Sequence, residues 1–394
     1  KIKQGDILVA RMTTPDFVPA MKRAVAIVTN AGGQTSHAAI VSRELGLPAV
    51  VGTGEATEVL KGRKMITVNG STGEVFEGQP RESDVVYSER KPNEEVKETA
   101  TKIYVNLGEP DLAGEVAKKN VDGVGLLRAE FMIAQIGRHP KKMIHDGKSG
   151  EFVDQLAEGL AKFTVAFGYR PVVYRTTDFK TNEYRNLIGG QAYEKEEPNP
   201  MLGYRGAYRY ITDERVFELE LEAVKRVRNK MGYKNLWMMI PFVRTPEQLM
   251  KVKRIIAANG LERSNSFKLW MMVEIPSNVI LLEEFAKAGI DGISIGSNDL
   301  TMLTLGIDRD SESVAPIYDE RDPAVLWMFE TAIKKAVKLG LTASFCGQAV
   351  SEYSDLVEKL VHWGITSVSV SPDAVERTRE IVAHAEKTLI SRRT

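Results

Sequence analysis

LWMMVEIPS at residues 269–277 and GISIGSNDLT at 292–301 share one design: a short apolar run that turns polar at its carboxy-terminal end. A strand covered on both faces reads as such an unbroken apolar run, and strands of this kind alternating with amphipathic helices build a parallel sheet. The same texture recurs upstream at 103–107, 123–127, 171–174 and 236–240, and downstream at 342–345 and 367–370, before a last helix rich in Glu and Arg. Eight strand–helix units between residues 101 and 394 predict an α/β fold, a (β/α)8 TIM barrel with insertions.

That fold places chemistry where each strand ends and the next loop begins. Arg128 and Arg175 close the second and third strands, Glu274 the fifth, Asn298 and Asp299 follow the sixth, and Cys346 closes the seventh. Long loops after the third and sixth strands, roughly 176–234 and 300–325, lie on the same face, where a lid would close. Neighbouring strands run ~4.8 Å apart, so Glu274 and Asp299 are placed to share a cation, and two carboxylates completed by substrate oxygens and water describe magnesium. Each acid could instead cap a helix or pair with an arginine. Arg128 and Arg175 project into that mouth, and Arg205 in NPMLGYRG and Arg309 in LGIDRD sit on loops beside it. Guanidinium forks there suit a phosphate, or a salt bridge. A lone thiol is ordinarily a small buried hydrophobe, but Cys346 at the catalytic face is a candidate proton donor and acceptor.

Residues 1–79 read differently. Apolar runs at 7–10, 24–29, 49–51 and 64–68, broken by Gly, Asn and Pro, with one helix at 36–45, predict a small strand-rich α/β unit. In AGGQTSHAAIVSRELGLPAVVGT (31–53), His37 falls in the first turn of that helix. Unpaired N–H groups and the positive dipole end there would hold a phosphoryl group on the imidazole. His139, His145, His362 and His384 have no such setting. Residues 80–100, PRESDVVYSERKPNEEVKETA, read as a polar linker between this unit and the barrel at 101–394.

Composition sets the remaining bounds. With 394 residues, 43% hydrophobic and 27% charged, the chain suits a large core plus a smaller unit. Lys+Arg and Asp+Glu each number 53, which excludes an overall basic field for nucleic acid or a membrane surface, so an anion site must be local. One cysteine fits a reducing compartment, and neither a spanning run nor a targeting pattern is present, so the cytoplasm is expected. The chain opens at Lys1 and runs at once into ILVA, which reads as a fragment.

GGQTSHAAIVSRELGLPAVVGT resembles the phosphohistidine motif of the phosphoenolpyruvate (PEP)-utilising enzymes. GLLRAEF, VVYRTTD, NPMLGYRG, MMVEIP, SIGSNDLT and FCGQ resemble, in order, the motifs of that family's PEP-binding barrel. Within the family, DFKTNEYRNLIGG and EEPNPMLGYRG look most like PEP synthase; pyruvate phosphate dikinase and enzyme I of the phosphotransferase system share the other motifs. The resemblance implies a swivelling phosphohistidine domain, incomplete at its amino terminus, ahead of the barrel. It implies that His37 carries the phosphoryl group, with Arg128, Arg175 and Arg309 holding it and Arg205 beside them. It further implies Mg2+ on Glu274 and Asp299, substrate contact by Asn298, proton transfer by Cys346, and Thr35 as a regulatory phosphorylation target. The expected substrates are pyruvate and PEP, and the expected partners are an upstream ATP-grasp domain that binds ATP and a second copy docked through the barrel. The competing expectations are an enzyme I-type or dikinase activity, or an assembly subunit without catalysis.

Overall fold

In the computed structural model, the described residues are 2–14, 17–33, 36–62, 65–79, 97–308 and 313–391. Most of the linker expected at 80–100 lies outside them, as do Thr35 and Arg309. The amino-terminal runs form β1 (Asp6–Ala10), β2 (Ala24–Thr29) and β3 (Ala49–Val50), paired parallel in the order β1-β2-β3. β4 (Ile66–Asn69) and β5 (Glu74–Glu77) make an antiparallel hairpin. β5 is absent from the sequence reading because EVFE is short and acidic at both ends, and only its pairing with β4 makes it a strand.

The barrel consists of β6 (Lys102–Leu107), β7 (Gly123–Arg128), β8 (Val172–Arg175), β9 (Leu236–Ile240), β10 (Leu269–Val273), β11 (Gly292–Ile295), β12 (Thr342–Phe345) and β13 (Ser367–Val370). All eight pair in parallel and close, with β13 against β6. The (β/α)8 expectation therefore holds. Because side chains alternate across a strand, each apolar run serves two cores. Ile103, Val105, Val172, Tyr174, Met238, Met271 and Ile293 join the large core under the helices. Tyr104, Leu126, Val173, Met239, Trp270 and Met272 instead fill a smaller cluster with Cys346, a packed plug under the barrel mouth.

The long loop expected after β8 is largely helical. It folds into helices Thr181–Arg185, Ala207–Thr212 and Glu214–Lys225, the last burying Val216, Phe217, Leu221 and Val224. After β11, helix Ser297–Leu305 begins almost at once.

The amino-terminal unit packs on the barrel through a small apolar patch: Phe131, which follows β7, joins Val18, Met21, Ala24, Ile27 and Val41 in one cluster. Lys22 Nζ lies 2.5 Å from Glu109 and Arg43 lies 3.4 Å from Glu352 at its edges. Among the described residues, no helix is long and apolar enough to cross a membrane.

Candidate active site

Helix His37–Glu44 starts as its sequence predicts: Ser36 is the N-cap, with Oγ 3.5 Å from the Ala39 N–H. His37 is the first helical residue, and its Nδ1 lies 2.9 Å from the hydroxyl of buried Thr13. That contact orients the ring. The ring faces a cavity of about 1120 Å³, whose other wall is the carboxy-terminal mouth of the barrel. Arg128, Arg175, Arg205, Glu274, Asn298, Asp299 and Cys346 all line it. The structure thus brings together every candidate residue that falls within the described chain.

Glu274 follows β10 directly and is buried. Its Oε1 accepts a 2.6 Å hydrogen bond from the backbone N–H of Phe242, just past β9. Phe242 has φ of 48°, the one positive value outside glycine among the described residues, and a bulky residue held there is strained. The strain aims its N–H at Glu274 while its ring lies 4.0 Å under the Arg205 guanidinium. A Cβ at Gly296 would come within 3.0 Å of Glu274 Oε2, so glycine keeps that oxygen's surroundings clear.

Asp299 lies in the first turn of helix Ser297–Leu305, where the dipole favours an anion. A Cβ at Gly347 would overlap Ser297 Oγ at 1.7 Å, so the glycine after Cys346 lets this helix start against β12. Buried Glu320 accepts a short hydrogen bond from Ser297, and the Tyr318 hydroxyl donates to the Asn298 carbonyl at 3.3 Å. Together they pin the turn that presents Asn298 and Asp299.

A third carboxylate, unmarked by the pattern of polar strand ends, joins Glu274 and Asp299. Asp178, three residues beyond β8 in YRTTD, lies with Glu274 and Asp299 so that one ligand oxygen of each falls within 4.8 Å of the others. Its signal was its place in the same motif as Arg175, past the strand end where loop acids are common. Arg205 bridges two of the three, at 2.5 Å from Asp178 and 2.8 Å from Asp299. Arg175 divides itself between Glu130 at 3.1 Å and Asp178 at 3.7 Å. Burial opposes the charge on both arginines, but these carboxylates outweigh it and hold both guanidiniums above their usual range. Burial, then Asp178 and Asp299, push Glu274 up to about 8. Arg205 and Arg175 oppose that shift without cancelling it. Three buried carboxylates with converging oxygens fit a hard divalent cation such as Mg2+.

Cys346 is buried in the floor, its Sγ 3.6 Å from the Ile295 carbonyl and its own carbonyl held by Asn106 Nδ2 at 3.1 Å. Burial pushes the thiol up to about 11, with Ser294 and Arg175 opposing it, so at neutral pH the sulfur keeps its proton. The cavity as a whole presents a histidine at a helix start, fixed cations, a carboxylate trio and a protonated thiol. That set can move a phosphoryl group and a proton on one small oxyanion.

Comparison with known proteins agrees with this geometry. Residues 83–387 match the PEP-utilising enzyme, PEP-binding domain, and residues 2–73 match the PEP-utilising enzyme, mobile domain. The probable phosphoenolpyruvate synthase of Staphylothermus marinus is 51% identical over 416 residues, covering 100% of this chain and 49% of that protein. The phosphoenolpyruvate synthase of Aeropyrum pernix is 50% identical over 409 residues, with 100% and 50% covered. That of Pyrococcus furiosus is 48% identical over 402 residues, with 99% and 48% covered. The chain spans about half the length of these curated relatives. With its barrel and its amino-terminal unit both matched, the chain belongs to the PEP-utilising enzyme family.

Proposed function

We propose that this chain carries the pyruvate half of a PEP synthase reaction, in which a phosphoryl group passes between His37 and pyruvate. The observation that carries the reading is the shared cavity: His37 from the amino-terminal unit faces the arginines, the carboxylate trio and Cys346 of the barrel. Glu274 and Asp299, with Asp178, would hold Mg2+, which when bound supplies positive charge at the enolate oxygen of the substrate.

In the direction that consumes PEP, Nε2 of His37 attacks phosphorus, the N–P bond forms, and the bond from phosphorus to the enol oxygen breaks. The electron pair stays on that oxygen as an enolate. Cys346 then gives its proton to the methylene carbon, which becomes the methyl group of pyruvate. A thiol held protonated by burial suits that donation. Arg128 and Arg175 offset the charge that spreads over the phosphoryl oxygens during transfer, and Arg309 would add to them. Asn298, at the start of helix Ser297–Leu305, would contact the substrate. The relatives' names describe synthesis of PEP, so we assign the net direction as the reverse: phospho-His37, charged from ATP by an upstream domain, gives its phosphoryl group to the pyruvate enolate. Thr35, two residues before His37, would be the place to regulate that step by phosphorylation.

The test is to incubate the chain with Mg2+ and PEP labelled in its phosphoryl group. Acid-labile label on the protein, equimolar pyruvate, and loss of both in His37→Ala are expected. Normal PEP binding with no label would overturn the role of His37, and no PEP binding at all would overturn the reading.

A further inference from the structure

Arg175 and Asp178 supply one guanidinium and one carboxylate to the cavity; Arg175 is the last paired residue of β8, the Thr176 N–H still reaches the Met239 carbonyl at 3.1 Å, and Thr177 and Asp178 lie beyond that pairing. Glu130 accepts from the Asp178 N–H at 2.6 Å, and two buried side chains from behind the barrel grip Thr177. Glu220, on the inner face of helix Glu214–Lys225, is 1% exposed. One of its oxygens, Oε2, accepts hydrogen bonds from the Tyr174 hydroxyl and from the Thr177 backbone N–H, both at 3.0 Å. From the other side, the Tyr210 hydroxyl donates to the Thr177 carbonyl, with the Thr176 hydroxyl 2.9 Å away. Tyr210 is itself fixed, stacked on Phe217 at 4.2 Å between ring centroids with planes 7° apart. The residue immediately before Asp178 thus has both its N–H and its C=O held by groups that never reach the cavity.

Resting on the function proposed above, we infer that Glu220 is a positioning residue for the metal and PEP site, holding residues 175–178 so that Asp178 meets Glu274 and Asp299 while Arg175 faces the substrate. A carboxylate buried only for stability would be a poor choice, since desolvation costs more than its two hydrogen bonds return. Placed behind a ligand, it fixes geometry, as outer-shell partners of metal ligands do. Burial pushes Glu220 up to about 7, so its neutral form is well populated near neutral pH and glutamine is a fair substitute. Because both bonds end on one oxygen, the single carbonyl oxygen of glutamine can accept both.

The experiment titrates Mg2+ and PEP calorimetrically into wild type, Glu220→Gln, Glu220→Ala and Tyr210→Phe, with thermal midpoints measured on the same samples. Glu220→Ala is expected to weaken Mg2+-dependent PEP binding by about tenfold or more, and Glu220→Gln to restore it to within about threefold. Tyr210→Phe keeps the stacked ring and loses one grip on Thr177, so it is expected to fall between them; it carries the test if Glu220→Ala does not fold. Variants whose midpoints drop while PEP affinity stays at the wild-type value would overturn the positioning role and leave the functional reading standing. Absence of PEP binding in wild type would instead overturn the functional reading.

Discussion

Two buried ion clusters are built from segments that follow the barrel strands, and they are opposites. In the first, Glu194 is met on both oxygens: Arg209 reaches Oε1 at 2.6 Å and Oε2 at 3.0 Å, and His139 Nε2 lies 3.0 Å from Oε1. His139 Nδ1 accepts from the Lys141 N–H, so Nε2 carries the proton and donates to Glu194. The Arg209 guanidinium lies over the Tyr184 and Tyr204 rings, at 4.8 and 4.2 Å. Burial raises the Glu194 carboxyl, but His139 and Arg209 outweigh it and hold it below its usual range. In the second, Asp178, Glu274 and Asp299 crowd together, and Glu274 is pushed up to about 8. One cluster matches its carboxylate with donors on both oxygens; the other sets three carboxylates against one another and pushes one of them toward its neutral form. A buried ion network that satisfies itself staples the fold, whereas one that does not is a binding site held ready at a cost in stability.

The largest expected effect separates the two clusters by what is lost. On the function proposed above, Glu274→Ala or Asp299→Ala should abolish Mg2+-dependent PEP binding, about a thousandfold or more, with the circular dichroism spectrum unchanged, because each removes a proposed metal ligand from a site the core does not depend on. Calorimetric titration checks this, and wild-type affinity in either variant would remove these residues from the metal site. Next in size, Glu194→Ala strands the buried Arg209 and should cost about 3–5 kcal/mol of unfolding free energy. Urea melts measure it, and a cost below about 1 kcal/mol would mean the first cluster is ornamental.

The sequence declares the barrel because buried parallel strands advertise themselves, and it declares Glu274, Asp299 and Cys346 because each is a polar residue ending an apolar run. What stays hidden depends on contact. Asp178 becomes a metal candidate only when the segment after β8 curls back over the mouth. Phe242 looks like one more core aromatic, and its importance lies in a backbone angle no side-chain pattern encodes. Arg205 reads equally as a phosphate binder or a salt-bridge partner, and it is found bridging two carboxylates, since a loop arginine's partner is chosen by folding. His139 reads as an ordinary histidine for the same reason: Glu194 and Arg209 are far away along the chain.

The smallest expected effect is the most discriminating, because one kind of substitution should act with opposite sign in the two clusters. Burial, with Asp178 and Asp299 beside it, pushes Glu274 up to about 8 in the folded chain from its ordinary 4.5. Its contribution to stability is therefore full below about pH 4.5 and is lost as pH rises toward 8, because the unfolded chain releases a proton that the folded chain retains. Glutamine has no proton to lose, so without metal Glu274→Gln should match wild type near pH 4.5 and become more stable by about 1–4 kcal/mol near pH 8. Glu194, held below 4.5, contributes stability above that pH and loses it as the pH falls through its folded value. Glu194→Gln should therefore be destabilised at neutral pH, with the deficit shrinking in acid. Saturating Mg2+ should then reverse the first result and leave the second alone, since a ligand stabilises only the protein that binds it. If Glu274→Gln destabilises the metal-free chain at pH 8, the carboxylate trio has settled its charge as fully as Glu194 has, and the contrast between the clusters fails.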